Sequence, residues 1–200
     1  MRKKESNQLS KYKIILTDCD GVLLDWENAF HKWMGQRGYT KQVDAIYDIS
    51  TAYGIEKKEG KRLVKEFNES AWMGYLKAFK DARSGVGRLY EAGYRFHCIT
   101  SLSLDTKAKR LRLMNLENIF GKGVFKELIC LDTGADKDHI LEEYEGSGFY
   151  WIEDKTENAI CGLQFGLKPI LIHHAHNDDC DHEDVIKCDD WQAIADEILG

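Results

Sequence analysis

Two aspartates leave a hydrophobic run with a single residue between them. Residues 13–17 read Lys-Ile-Ile-Leu-Thr, and Asp18-Cys19-Asp20-Gly21-Val22 follow directly. Carboxylates this close repel each other and resist leaving water unless a cation or a proton joins them. A hard divalent cation with oxygen ligands meets that need, and Mg2+ is the usual choice beside phosphate. Gly21 allows a sharp exit of the backbone. A bare D-x-D has other readings too. It can be an Asx turn or a helix cap at a strand end, and it also occurs in nucleotide-sugar transferases.

Three more groups come later in the chain. Thr100-Ser101 come after the apolar run 94–99. Their hydroxyls and backbone N–H groups can donate to phosphoryl oxygens, although the same pair is an ordinary helix cap. Lys137 opens a helical pattern after the third apolar run, where it can neutralise an anion beside the aspartates. Lys107 and Lys109 are its rivals, and a single lysine is most often a solvated surface charge. Glu153-Asp154 leave the run 149–152, with Asn158 one helical turn beyond Asp154 and on the same face. Capping of a helix N-terminus accounts for one of these carboxylates better than for two.

The elements that must position these groups are legible. Five apolar runs of strand length lie at 13–17, 94–99, 127–131, 149–152 and 169–173. Helical patterns lie between and after them, at 81–92, 104–120, 136–144, 156–165 and 190–199. In the second of these, Leu104, Leu111, Met114 and Ile119 fall near one face. The alternation predicts an α/β fold, a Rossmann-like parallel sheet of about five strands with helices on both faces. Ligands bind such sheets outside the carboxyl ends of the strands, where all four groups fall.

Residues 18–93 separate the first two runs, far more than a crossover needs. Within them 26–37, 41–53 and 57–71 read as helical. A small helical cap over 26–80 is therefore expected, inserted after the first strand into a core domain of 12–25 and 81–200. It carries Trp26, Phe30, Trp33, Tyr53, Trp72 and Tyr75. Aromatics at helical spacing are first of all core. Trp26, close behind Asp20, is the candidate for stacking on a substrate base.

Charge and composition exclude several classes. Lysine and arginine number 28 against 34 acidic residues, a net charge of -6 that argues against a nucleic-acid polymer as partner. A small phosphorylated substrate in a locally positive pocket stays compatible with it. No run approaches the ~20 apolar residues of a membrane span, and residues 1–10 lack the apolar core of a secretory signal. No membrane association and a cytoplasmic location are expected. Six cysteines without a C-x-x-C pair read as reduced, packed thiols. His173, His174, His176, Cys180, His182 and Cys188 are zinc-type ligands, but at no recognisable finger spacing, so 173–188 reads first as a polar loop near the site's rim. No feature of the sequence singles out an oligomeric state.

In this order the four groups resemble those of the haloacid dehalogenase-like (HAD) hydrolases, a family of aspartate-nucleophile phosphatases. Residues 18–22 match its first motif, Thr100 its second, Lys137 its third, and Glu153-Asp154 with Asn158 its fourth. The resemblance spans about residues 12–199, and 26–80 sits where the family's helical cap enters. The stretch DCDGVLLDW followed by such a cap is similar to that of 5′-nucleotidases acting on deoxyribonucleoside monophosphates.

The resemblance implies a Mg2+-dependent phosphatase working through an aspartyl-phosphate. Asp18 would be the nucleophile and Asp20 the general acid and then base. Thr100 and Lys137 would offset charge on the phosphoryl oxygens. Ser101, Gly21 and Trp26 would contact substrate. Mg2+ would be held by Asp18, the backbone carbonyl of Asp20, and Asp154, with Glu153 on a metal-bound water and Asn158 orienting the loop from behind. One rival is a catalytically silent HAD-like binding protein. Another is a phosphoaccepting regulatory domain, which would be shorter, lack the cap, and carry its acceptor aspartate after the third strand. A kinase or glycosyltransferase using D-x-D lacks support, because no G-x-x-x-x-G-K-[ST] loop is present.

Overall fold

The computed structural model describes residues 13–44 and 48–200. The polar segment before residue 13 and residues 45–47 of the expected 41–53 helix lie outside the described residues. Six parallel strands form one sheet. They are β1 (Lys13–Thr17), β2 (Tyr94–Thr100), β3 (Phe125–Cys130), β4 (Tyr150–Glu153), β5 (Lys168–Ile172) and β6 (Ile186–Cys188). Their order is β3-β2-β1-β4-β5-β6. This is one strand more than the five expected. The extra strand is Ile-Lys-Cys, three residues within an acidic stretch, too short for its pattern to register.

β1 is apolar on both sides because both faces of the sheet are covered. Ile14 and Leu16 join a buried cluster with Ile99, Leu141 and Trp151. Ile15 faces the other way, with Phe96, Ile152 and Ile170. Helices α4 (Ala82–Glu91), α5 (Thr106–Phe120) and α8 (Trp191–Leu199) close that second face. Helices α6 (Asp138–Leu141) and α7 (Thr156–Gln164) close the first. The chain runs from β1 outward to β2 and β3, then crosses back to β4 on the other side of β1. The carboxyl ends of β1 and β4 thus flank the point where the strand order reverses, which opens a crevice there.

Residues 26–80 contain α1 (Trp26–Gly35), α2 (Ile49–Tyr53), α3 (Lys57–Asn68) and a 3-10 turn at Ala71–Gly74. Among the described residues, α2 is the helical part of the expected 41–53 helix. The Asp48 side chain accepts the Thr51 N–H at 2.8 Å and caps the helix there. Gly54, at φ +62°, ends it. Phe30, Trp33, Tyr53 and Phe67 are buried in the same cluster as the sheet residues Ile15 and Phe96. The aromatics of this segment are therefore mostly core, and Tyr75 is exposed.

Two other expectations need correction. The 136–144 helix begins later, with Lys137 as its N-cap, and is one turn of α6 followed by a 3-10 turn at Glu142–Tyr144. The buried stripe of α5 is Ala108, Arg112, Asn115 and Leu116, while Leu111 and Ile119 of the expected face pack partly buried against the same core and Leu104 does not. Leu104 precedes the helix and is exposed, because Asp105 is the N-cap and accepts the Ala108 N–H at 2.7 Å. Among the described residues, no helix is long and apolar enough to cross a membrane.

Candidate active site

Asp18 lies one step beyond β1, and its N–H donates to the Ile152 carbonyl at 2.8 Å. That bond ties the end of β1 to β4, and Glu153-Asp154 close β4 beside it. Lys137, carried by the loop after β3, enters between them. Its Nζ lies 2.9 Å from Asp18 Oδ1 and donates to Glu153 Oε1 at 2.6 Å. Lys107 and Lys109 are exposed on α5, so Lys137 is the lysine that the fold delivers to Asp18.

Glu153 is fully buried and its oxygens are already engaged. Oε1 also accepts from Asn158 Nδ2 at 2.6 Å, and Oε2 accepts the N–H groups of Asp154 and Lys155, each at 2.8 Å. Asn158 therefore holds Glu153, and Glu153 anchors Lys137. Asp154 is different. Its Oδ2 is 3.3 Å from His176 Nε2, while its buried Oδ1 has no hydrogen-bond partner. Asp18 Oδ1 has its ion-pair contact with Lys137 but no aligned hydrogen bond.

Three carboxylates meet one lysine in this buried place. Ligand atoms of Asp18, Glu153 and Asp154 lie within 4.8 Å of one another. Burial pushes the Asp18 carboxyl up to about 7, opposed by Lys137 and reinforced by Glu153 and Asp154. Burial raises Asp154 as well. Burial would also raise Glu153, but the Lys137 ammonium and the hydrogen bonds it accepts outweigh that and hold it low. Oxygen donors, a surplus of negative charge and an orphaned buried carboxylate oxygen fit a hard divalent cation.

The cluster makes stability depend on pH. The folded-state pKa of Asp18 lies above its ordinary value of 3.8. The folded protein therefore holds this proton more tightly than the unfolded chain does. That stabilisation is complete below the ordinary value and is lost as the pH rises through about 7. Without divalent cation, melting temperature is expected to fall between about pH 5 and pH 8, and millimolar Mg2+ is expected to flatten the fall. Thermal denaturation in EDTA and in Mg2+ checks this, and identical curves in the two would count against a cation site.

Gly21 is at φ +84°, and a Cβ there would stand 2.4 Å from Asp154 Oδ2. Its carbonyl accepts from His174 Nε2 at 2.6 Å. His174 stacks on His176, with centroids 5.3 Å apart. Asn177 is buried and donates through Nδ2 to the carbonyls of Asp154 at 2.7 Å and Ile172 at 2.9 Å. The loop after β5 thus fastens the Gly21 turn to the end of β4. His173, His174 and His176 take separate partners, Asp178, the Gly21 carbonyl and Asp154, rather than one shared centre.

Thr100 closes β2 and is buried, at the same end of the sheet as Asp18. The Ser101 hydroxyl donates to the Ala135 carbonyl at 2.6 Å, so it braces the loop that carries Lys137. Trp26 stacks on Phe30 with centroids 4.6 Å apart, and its Nε1 donates to Asn68 Oδ1 at 2.9 Å. Asn68 in turn donates to the Leu102 carbonyl, just beyond Ser101, at 2.9 Å.

Asp20 has a partner that the sequence did not reveal. Arg112, fully buried, sets Nη1 2.5 Å from Asp20 Oδ1 and Nη2 3.0 Å from Oδ2. Burial would lower the arginine's pKa, but Asp20 outweighs it and the group stays charged. The available signal was the spacing Ala108, Arg112, Leu116, which puts the arginine on the inward stripe of α5.

Comparison with known proteins supports the fold. No family model matches the chain. It superposes on a haloacid dehalogenase-like hydrolase from Streptococcus pneumoniae with TM-score 0.62 at 12% identity, covering 95% of this chain and 98% of that one. It superposes equally on a HAD phosphatase from Thermococcus onnurineus, TM-score 0.62 at 18% identity, covering 94% and 98%. A D,D-heptose 1,7-bisphosphate phosphatase from B. bronchiseptica, solved with magnesium and phosphate, gives TM-score 0.59 at 15% identity over 94% and 98%. The fold is that of the HAD-like hydrolases. In sequence, the chain is 25% identical over 177 residues to an uncharacterized 32.4 kDa protein from the Gp30–rIII intergenic region of Enterobacteria phage T4. That match covers 84% of this chain and 55% of the phage protein, so the chain spans about half the length of that relative.

Proposed function

We propose that the chain is a Mg2+-dependent phosphatase acting on small phosphomonoesters. The observation that carries the reading is the buried cluster at the strand-order reversal, where Asp18 meets Lys137 and the unpartnered oxygen of Asp154. A nucleophile needs a positioned electron pair, and Lys137 Nζ, 2.9 Å from Oδ1, holds the Asp18 carboxylate in place. In the proposed reaction an Asp18 oxygen attacks phosphorus in line and the ester P–O bond breaks. Asp20 gives its proton to the departing oxygen. Asp20 then takes a proton from water as that water attacks the aspartyl-phosphate, releasing inorganic phosphate and restoring Asp18. Lys137 and Thr100 offset charge on the phosphoryl oxygens.

Asp18, Asp154 and the backbone carbonyl of Asp20 would hold Mg2+. When bound, Mg2+ would supply further neutralisation of the phosphoryl charge. The neighbour solved with magnesium and phosphate supports this assignment. Glu153 acts here as the anchor of Lys137, because its oxygens are already taken. A nucleoside monophosphate is the narrower substrate proposed, on the resemblance at residues 18–26, and the cytosol is the proposed location.

The test is phosphate release from p-nitrophenyl phosphate, sugar phosphates and nucleoside monophosphates, with Mg2+ and with EDTA. Metal-dependent release by the wild type that Asp18→Asn lacks is the expected result. Folded wild-type protein that releases phosphate from none of them would favour a silent binding role instead.

A further inference from the structure

Arg112 has no assigned role in the proposed reaction, yet it is a fully buried charge and costly to place where it is. A buried guanidinium loses its hydration, and an apolar side chain of similar volume would often serve stability as well or better. Its stem is fixed in α5, 92 residues along the chain from Asp20. The two terminal nitrogens meet the two Asp20 oxygens fork to fork, which fixes the plane of a carboxylate as a single contact cannot. The same nitrogens touch Cys19 Sγ at 2.8 Å and Met73 Sδ at 3.1 Å, so the guanidinium is gripped between the Asp18–Asp20 turn and the inserted helical segment. Its Nε is buried with no partner. The geometry thus leaves one donor unsatisfied and keeps the fork on Asp20, which points to the fork as the feature that matters.

We propose that Arg112 is the positioning residue of Asp20, holding that carboxylate in the orientation from which it exchanges a proton with the leaving oxygen and then with water. The proposal rests on the phosphatase reading of the same site. Through Met73 it also makes the packing of the inserted segment a determinant of where Asp20 points. Arg112 acts through Asp20, whose two oxygens it holds.

The test compares wild type, Arg112→Lys, Arg112→Met, Asp20→Asn and the pair Arg112→Met with Asp20→Asn. The substrates are p-nitrophenyl phosphate and phenyl phosphate, whose leaving oxygen is more basic and needs the proton more. Loss of a positioned acid is expected to lower kcat/KM on phenyl phosphate by about 100-fold and on p-nitrophenyl phosphate by about tenfold or less. The pair is expected to be no slower than Asp20→Asn alone, because both changes remove one function. Arg112→Lys keeps a buried positive charge without the fork, so it carries the test if Arg112→Met folds poorly, and it must show the same leaving-group contrast. Equal losses on both substrates, or losses that multiply with those of Asp20→Asn, would overturn the proposal while leaving the phosphatase reading standing. A folded wild type inactive on every phosphate ester would overturn that reading and the proposal with it.

Discussion

Lys137→Met is expected to destabilise the protein by about 3–5 kcal/mol, the usual cost of removing one partner from a buried ion pair. The lysine is buried, 2.9 Å from Asp18 Oδ1 and 2.6 Å from Glu153 Oε1. Methionine fills most of the same volume, so packing alone predicts a small loss. The electrostatic consequence is larger, because three buried carboxylates would then share one place without a cation from the chain. Burial already lifts Asp18 to about 7, and Lys137 is what chiefly opposes that rise. Without the lysine, Asp18 and Glu153 would both hold protons to higher pH. A raised carboxyl pKa contributes stability that is lost as the pH rises through it. The destabilisation should therefore be larger at pH 8 than at pH 5. Urea denaturation at the two pH values separates this from a packing defect, which would cost the same at both. A loss below about 1 kcal/mol at pH 8 would show that water or other groups already neutralise the cluster.

Asp18, Lys137 and Glu153-Asp154 were legible because each follows an apolar run, and parallel strands deliver their carboxyl-terminal residues to one end of the sheet. Their chemical types then limited what they could do together. What the sequence hid was the partner of each group. Arg112 reaches Asp20 across 92 residues, and His174 reaches the Gly21 carbonyl across 153. A helical period says which face is inward and nothing about what waits there, so the spacing of Ala108, Arg112 and Leu116 places the arginine inward without naming Asp20 as its partner. Two other places have partners that their local chemistry did not name. Ser101 follows a strand as a substrate contact would, yet its hydroxyl is spent on the Ala135 carbonyl. The histidines at 173–176 look like metal ligands by type, yet each is taken by a neighbour that loop closure brings near. Within 41–53 the capping residue Asp48 starts the described helix later than hydrophobic spacing alone would.

Gly21→Ala is expected to abolish the response to Mg2+ and to lower activity at least about 100-fold, while leaving the fold intact. Two independent costs act at this position. The backbone at φ +84° is open to glycine and strained for alanine, at roughly 1–3 kcal/mol. The added methyl would also stand 2.4 Å from Asp154 Oδ2 and 2.7 Å from its Cγ, so something must move. Asp154 cannot swing aside freely, because His176 holds its Oδ2 and Asn177 and His176 hold its carbonyl. The remaining freedom is to separate the Gly21 turn from the end of β4. That movement spreads Asp18 from Asp154 and breaks the His174 contact to the Gly21 carbonyl. Cys19 and Val22 beside this turn are core residues, but β1 ends before it at Thr17, so far-UV circular dichroism and cooperative melting should survive. A thermal shift with and without Mg2+ reads the cation response, and phosphate release reads the chemistry. Unchanged Mg2+ stabilisation in this variant would mean that Asp154 is not among the donors and that the cation, if bound, sits elsewhere.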